Sequence, residues 1–272
     1  MPVVAAFLIP GSPLPLVQRK NPPWGALADA MDRAGASLAQ SGADTLVVYS
    51  TQWLAVLDQL WQTRPRASGA HVDENWHEFG ALEFDMTMDV PLTEAIIAAT
   101  PALGIRSKGV DYDGFPIDTG TIICSNFLDP GKRLQMVIAS NNLYHDWDTT
   151  ASLGRIAAEQ AEAAGRRIAV VGVGGLSGSC FRHNIAIEDD HISRAEDDVW
   201  NRKILDLLES GQIEALKASA PQFAGEARAD MGFKHMAFIL GALNQRIHSA
   251  TVHGYGPLYG TGAAVVEFQP AA

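Results

Sequence analysis

The chain of 272 residues has little cysteine, no clustered positive charge and no long apolar run. Its two cysteines, Cys124 and Cys180, form no C-x-x-C pair and cannot build a disulfide framework. They read as reduced thiols, as in a cytoplasmic protein. Twenty Lys and Arg stand against 31 Asp and Glu, a net charge of −11. The basic residues occur in scattered pairs such as Lys132-Arg133 and Arg166-Arg167. That pattern excludes the cationic footprint needed to bind nucleic acid. No apolar stretch approaches the ~20 residues that cross a bilayer. No cationic segment leads into an apolar run at the N-terminus, so no signal peptide is expected. The expectation is a cytoplasmic protein with neither nucleic-acid nor membrane partners.

A further absence is local. Two apolar runs, 3–9 and 45–49, read as strands, and ligands in an open α/β sheet bind just beyond the carboxyl ends of strands. A metal enzyme would place His, Asp or Glu there. These turns instead read Pro10-Gly11-Ser12-Pro13 and Ser50-Thr51-Gln52-Trp53.

What is present is alternation. A helical face follows the first strand over 24–41, with Leu27, Met31, Ala34 and Leu38 in phase and Gly42 ending it. A second strand spans 44–50. The polar stretch 62–80 reads as a loop. Pro91 marks a helix start, 134–140 a strand, 150–164 a helix, and 167–173 a strand buried on both faces. A charged helix over 190–210 would turn Val199, Ile204, Leu207 and Leu208 inward. A short helix over 211–219 would stop before Pro221, and 226–243 reads as helical again. Strand-like runs at 248–255 and 263–268 close the chain. The predicted fold class is α/β, one domain over 1–272, with a central mixed, largely parallel sheet flanked by helices.

Several motifs come near to chemistry. Gly172-Val173-Gly174-Gly175-Leu176-Ser177 follows a buried strand but lacks the third glycine of a dinucleotide fingerprint. Gly175-Leu176-Ser177-Gly178-Ser179 misses the last glycine of a hydrolase elbow. A nucleophilic Ser177 would also need a positioned base, for which His183 and His191 are the downstream candidates. His71, Asp73, Glu74, His77 and Glu78 form one group of potential metal ligands. His183, Glu188, Asp189, Asp190 and His191 form another. Neither has a known site spacing, so each reads as a charged loop. Asp111 and Asp113 beside Gly114 and Pro116 read as turn chemistry. Trp24, Trp53, Trp61, Trp76, Trp147 and Trp200 read mainly as core or interface anchors; with Phe79, Phe84 and Tyr144, some could line an aromatic pocket.

Taken in order, seven segments resemble the motifs of the class III extradiol ring-cleaving dioxygenases. They are Ala5–Pro13, Val47–Trp53, Phe84–Met86, Asp118–Thr121, Ala139–Asn142, Leu176–Gly178 and Gly254–Gly262. The resemblance covers nearly the whole chain and implies the fold of that family. Catalytic members hold Fe(II) with two His and one Glu, a facial triad that leaves positions open for substrate and O₂. At the matching positions this chain has Gly11 (or Ser12), Gln52 and Asp230. An acid/base His is matched by Gly178, and a pocket Tyr by Thr119. Gly offers no side-chain donor, and a neutral amide is a poor substitute for imidazole. The resemblance therefore implies a non-catalytic homologue, with no metal, cofactor or catalytic residue of its own. It implies a homologous iron-bearing β-type partner, with Fe(II) in that partner and an α₂β₂ assembly. The pocket left behind would either be packed shut or hold a small aromatic ligand.

Overall fold

The computed structural model describes residues 2–178 and 185–270. Among them the strands are β1 (Val3–Ile9), β2 (Thr45–Ala55), β3 (Gln59–Gln62), β4 (Arg66–His71), β5 (Leu82–Met88), β6 (Ser107–Val110), β7 (Gln135–Asn142), β8 (Ile168–Val173), β9 (Ile247–Leu258) and β10 (Thr261–Pro270). The α-helices are α1 (Leu14–Val17), α2 (Pro22–Ser41), α3 (Val90–Ala99), α4 (Thr119–Leu128), α5 (Trp147–Ala163), α6 (Ala195–Glu209), α7 (Ile213–Glu226) and α8 (Lys234–Ala242). No helix among the described residues is long and apolar enough to cross a membrane.

Every residue of β8 is buried, which places it mid-sheet. It pairs in parallel with β1 on one side and β2 on the other, and β2 pairs in parallel with β7. The sheet order is β4-β5-β7-β2-β8-β1-β10-β9, with β3 and β6 attached beside β7. The β9–β10 hairpin is antiparallel, and β10 pairs antiparallel with β1. Alternate residues of the central strands feed two cores. Ala6, Leu8, Val47 and Val170 pack with α3, α5 and α8, while Phe7, Ile9, Val48 and Val171 pack with α2 and α4. The predicted fold class, a mixed and largely parallel sheet covered on both faces, is what forms.

Helices α5 and α8 cross very closely. Gly154 of α5 faces the Phe238 carbonyl of α8, and Gly241 of α8 faces the Ala151 carbonyl of α5. A methyl group at either position would occupy the space of the opposite backbone. This contact fixes α8, whose N-terminal approach carries Asp230.

Four expectations change. The stretch 62–80 is not simply a loop, because 66–71 forms β4 and pairs antiparallel with β5. Its polar composition reflects an exposed edge strand, with Arg66 bridged to Asp85 across the pair. Val199 points outward and is 68% exposed. The buried stripe of α6 begins instead with Asp197 and Asn201 and continues through Ile204, Leu205 and Leu208. An apolar-only pattern takes the wrong phase when polar residues hold the inner face. The second helix does not stop at 219: α7 runs through Pro221, which lies on its exposed side. The cost of the missing N–H is borne by packing. Finally, 226–243 is not one helix. Met231, Gly232 and Phe233 take positive φ angles of 44°, 69° and 63°, and the α-helix starts at Lys234.

Candidate functional site

At the carboxyl end of the sheet, β2 leaves its ladder with β7 after Tyr49↔Ala139 and rejoins it at Leu54↔Asn141. The intervening Thr51 and Gln52, with Trp53, are thereby presented to a cavity of about 600 Å³. Gly11, Ser12, Gln52, Thr119, Gly178 and Asp230 all line it. Six positions from five separate segments of the sequence thus converge on one space.

The Gln52 amide is held in place. Its Oε1 accepts a hydrogen bond from the Gly120 N–H at 2.7 Å. Its Nε2 lies 2.9 Å from where a Cβ on Gly11 would stand, with Val173 Cγ1 at 3.0 Å and the Gly120 Cα at 3.1 Å from the same point. Gln52 and Gly120 therefore fill the space that a side chain at position 11 would need. Replacing Gly11 by His is expected to lower stability by about 1–3 kcal/mol through overpacking. Adding Gln52→Ala should return part of that loss. Thermal unfolding of the single and double variants measures both. Ser12 contributes a hydroxyl that accepts a long bond from the Leu14 N–H, 3.4 Å, at the start of α1.

Asp230 uses one carboxylate oxygen, Oδ2, to accept from Thr51 Oγ1 at 2.8 Å and from the Gly175 N–H at 2.9 Å. Desolvation raises its pKa above the usual carboxylate value, against the pull of those two bonds. Gly178 has φ +72° and donates its N–H to the Ala227 carbonyl at 2.9 Å. Any L-residue there, His included, would be strained. Ser177 is buried, and its Oγ accepts from Asn201 Nδ2 at 2.8 Å. An amide donor cannot take the proton from a serine, so among the described residues Ser177 has no base. Ser179, Cys180 and His183 lie outside the described residues. Cys124 is buried within α4, where burial pushes its thiol pKa up.

Three of the five residues in the first predicted metal group come together. His71, Asp73 and Glu74 each place a potential ligand atom within 4.8 Å of the others, on the cavity wall, and could hold a metal ion. Two of them, His71 and Asp73, are already hydrogen-bonded. Thr119 Oγ1 donates to Asp73 Oδ2 at 2.7 Å and lies 2.9 Å from His71 Nε2. Asp73 Oδ1 also accepts from the Asn75 and Trp76 N–H groups. His77 and Glu78 sit in an exposed 3-10 turn. In the second group, Asp190 has a structural role, accepting from Trp24 Nε1 and from the Tyr259 and Gly260 N–H groups. Asp111 and Asp113 lie in an exposed turn.

The Trp53 and Phe115 rings lie 5.9 Å apart, tilted by 59°, on one side of the cavity, and Trp76 meets Tyr259 edge-on at 4.7 Å. Trp24 and Trp61 are buried core residues, and Tyr144 is exposed. Sequence reasoning missed His235. It is fully buried close to Asp230 and Gly174, and its ring meets Phe233 edge-on at 5.2 Å. Neither ring nitrogen makes a hydrogen bond of normal geometry. Burial pushes its pKa down to about 3. The available signal was a lone His heading the apolar run 236–240.

The family model described as the catalytic LigB subunit of aromatic ring-opening dioxygenases matches residues 6–269. The chain belongs to the LigB family. It is 49% identical over 269 residues to the α subunit of 2-aminophenol 1,6-dioxygenase from Pseudomonas sp, covering 98% of this chain and 99% of the relative. It is 25% identical over 287 residues to the β subunit of that enzyme, covering 98% and 93%. A third relative, 3,4-dihydroxyphenylacetate 2,3-dioxygenase of Escherichia coli, is 21% identical over 223 residues and matched over 81% of each chain. A solved structure of an uncharacterized protein from Escherichia coli K12 superposes with a TM-score of 0.65 at 13% identity. It covers 97% of this chain and 99% of that one, a likeness of fold alone.

Proposed function

We propose that the chain is the non-catalytic α subunit of a hetero-oligomeric extradiol dioxygenase that opens the ring of 2-aminophenol with O₂ to give 2-aminomuconate 6-semialdehyde. In this reading the homologous β subunit carries Fe(II), and this chain stabilises it in an α₂β₂ assembly. The observation that carries the reading is the Gln52 amide, bonded to Gly120 and occupying the space over Gly11. One imidazole position has no side chain, the other holds an engaged amide, and Asp230 is the only anionic group left of the three. That donor set does not fit the ferrous site of a facial triad. The 49% identity to an α subunit, against 25% to a β subunit, supports the assignment of type.

Purified alone, the chain is expected to carry no iron and open no ring. Co-expressed with its β-type subunit, it should co-purify in a complex with iron in proportion to β. One equivalent of tightly bound Fe(II) and ring opening by the isolated chain would overturn the reading.

A second reading concerns the cavity itself. Its volume and the Trp53–Phe115 wall favour retention of a small aromatic ligand over a packed, inert pocket. Calorimetry of the isolated chain with 2-aminophenol tests this. A saturable signal would support it, and no heat at millimolar ligand would count against it. The serine-hydrolase alternative gains no support, because Ser177 is hydrogen-bonded to an amide.

A further inference from the structure

The turn after β4 brings one imidazole and two carboxylates to the same part of the cavity wall. His71 is the last residue of β4 and is fixed by its pairing with Leu82 of β5. Asp73 is buried, and its Oδ1 accepts from the Asn75 and Trp76 N–H groups at 2.9 and 3.2 Å. Glu74 follows it and is exposed. One donor atom from each of the three lies within 4.8 Å of the other two, so a single ion can reach them all.

The hydrogen bonds fix which nitrogen of His71 is available. Asp73 Oδ2 is an acceptor, so the 2.7 Å contact uses the one hydroxyl proton of Thr119. Thr119 Oγ1 then accepts from His71 Nε2–H across 2.9 Å. The ring proton therefore sits on Nε2. Nδ1 is left with a lone pair and no hydrogen-bond partner among the described residues. Metal-binding histidines are held in this way, with the second ring N–H donated to a protein oxygen. Asp73 Oδ2 accepts one bond and has a second lone pair to give. Glu74 has no hydrogen bond or ion pair among the described residues.

This group shares no residue with Gly11, Gln52 and Asp230, and it supplies the imidazole that those positions lack. An imidazole with two carboxylates suits a divalent transition ion, whereas calcium and magnesium take all-oxygen sets. All three residues line the cavity, so an ion held by them would keep open positions facing it.

We infer that His71 Nδ1, Asp73 and Glu74 form a binding site for a divalent transition-metal ion such as zinc, with Thr119 as the positioning residue. The site stands independently of the subunit reading. In the ordinary order of divalent affinities it holds Fe(II) less tightly than zinc, so tightly retained iron is still not expected of the isolated chain.

The test titrates the full chain, stripped with a chelator, with zinc chloride by calorimetry. One zinc per chain is expected. His71→Ala and Glu74→Gln should each lower the affinity at least about 10-fold, and Thr119→Val about 10-fold by releasing the ring. Thr119→Ser, which keeps the hydroxyl, should bind as the wild type does. Glu74 is exposed, so Glu74→Gln should keep the metal-free melting temperature. Zinc should raise the melting temperature of the wild type but not of His71→Ala. His253→Gln, which alters the pair with Glu267 away from the cavity, should bind normally. The absence of saturable zinc binding by the wild type would overturn the site, and so would equal binding by the wild type and both ligand variants. Either result leaves the subunit reading standing. Displacement of zinc by excess magnesium chloride would overturn the assignment to a transition ion, and unchanged affinity in Thr119→Val would overturn the role of Thr119.

Discussion

Gly241→Ala is expected to lose about 3 kcal/mol or more of stability, a large share of the roughly 5–15 kcal/mol that holds a domain folded. The added methyl would run into the Ala151 carbonyl of α5, where a backbone rather than a flexible side chain must move. Gly154→Ala should behave alike, because its methyl would meet the Phe238 carbonyl of α8. Both helices would have to separate, and separation opens voids across the core they share with β1, β2 and β8. Denaturant unfolding measures the loss. Gly225→Ala provides the contrast. That glycine lies in α7 with nothing within 4 Å of the new methyl, so a gain of up to about 1 kcal/mol is expected. Equal effects at Gly241 and Gly225 would show that helix propensity, not the crossing, sets the cost.

The second large effect depends on pH. In the unfolded chain His235 takes up a proton near pH 6.5, whereas in the folded protein burial delays that to about pH 3. Between these values the unfolded state binds one more proton than the native state. Its contribution to stability is therefore complete above pH 6.5 and is lost as pH falls toward 3, at about 1.4 kcal/mol per unit. Asp230 works in the opposite sense, since its raised pKa favours the protonated native state as pH falls. Comparison with His235→Leu isolates the histidine. The stability of the wild type relative to the variant should shrink by about 1.4 kcal/mol for each unit from pH 6 to pH 4. Parallel curves would mean that the native protein accommodates the imidazolium.

Much of this could be read in the sequence because burial on two faces leaves uninterrupted apolar runs, as in β1, β2 and β8. The site positions Gly11, Gln52, Thr119, Gly178 and Asp230 were legible only as ordered motifs, and the fold brings all five to one cavity. Edge strands were not legible. Exposed β4 has only small or polar residues and no large apolar side chain, and β3 and β6 are four residues each, too short to show a period. The phase of α6 was hidden because Asn201 faces inward to hold Ser177, which no hydrophobic pattern reports. His235 was hidden for the converse reason: a buried polar residue with no side-chain hydrogen-bond partner of normal geometry leaves no complementary residue to look for.

The Gln52 amide seated over Gly11 also acts as a steric latch. A histidine introduced at position 11 meets Gln52 before it gains a second ligand. A histidine introduced at position 52 gives up the acceptor for the Gly120 N–H while position 11 still has no side chain. At position 178 the left-handed backbone resists any replacement. Each single step toward a metal centre lowers stability with no compensating coordination, so the path is uphill until several changes are present together. In mutational terms these positions are locked by packing, and single substitutions at them are opposed before any new coordination could form.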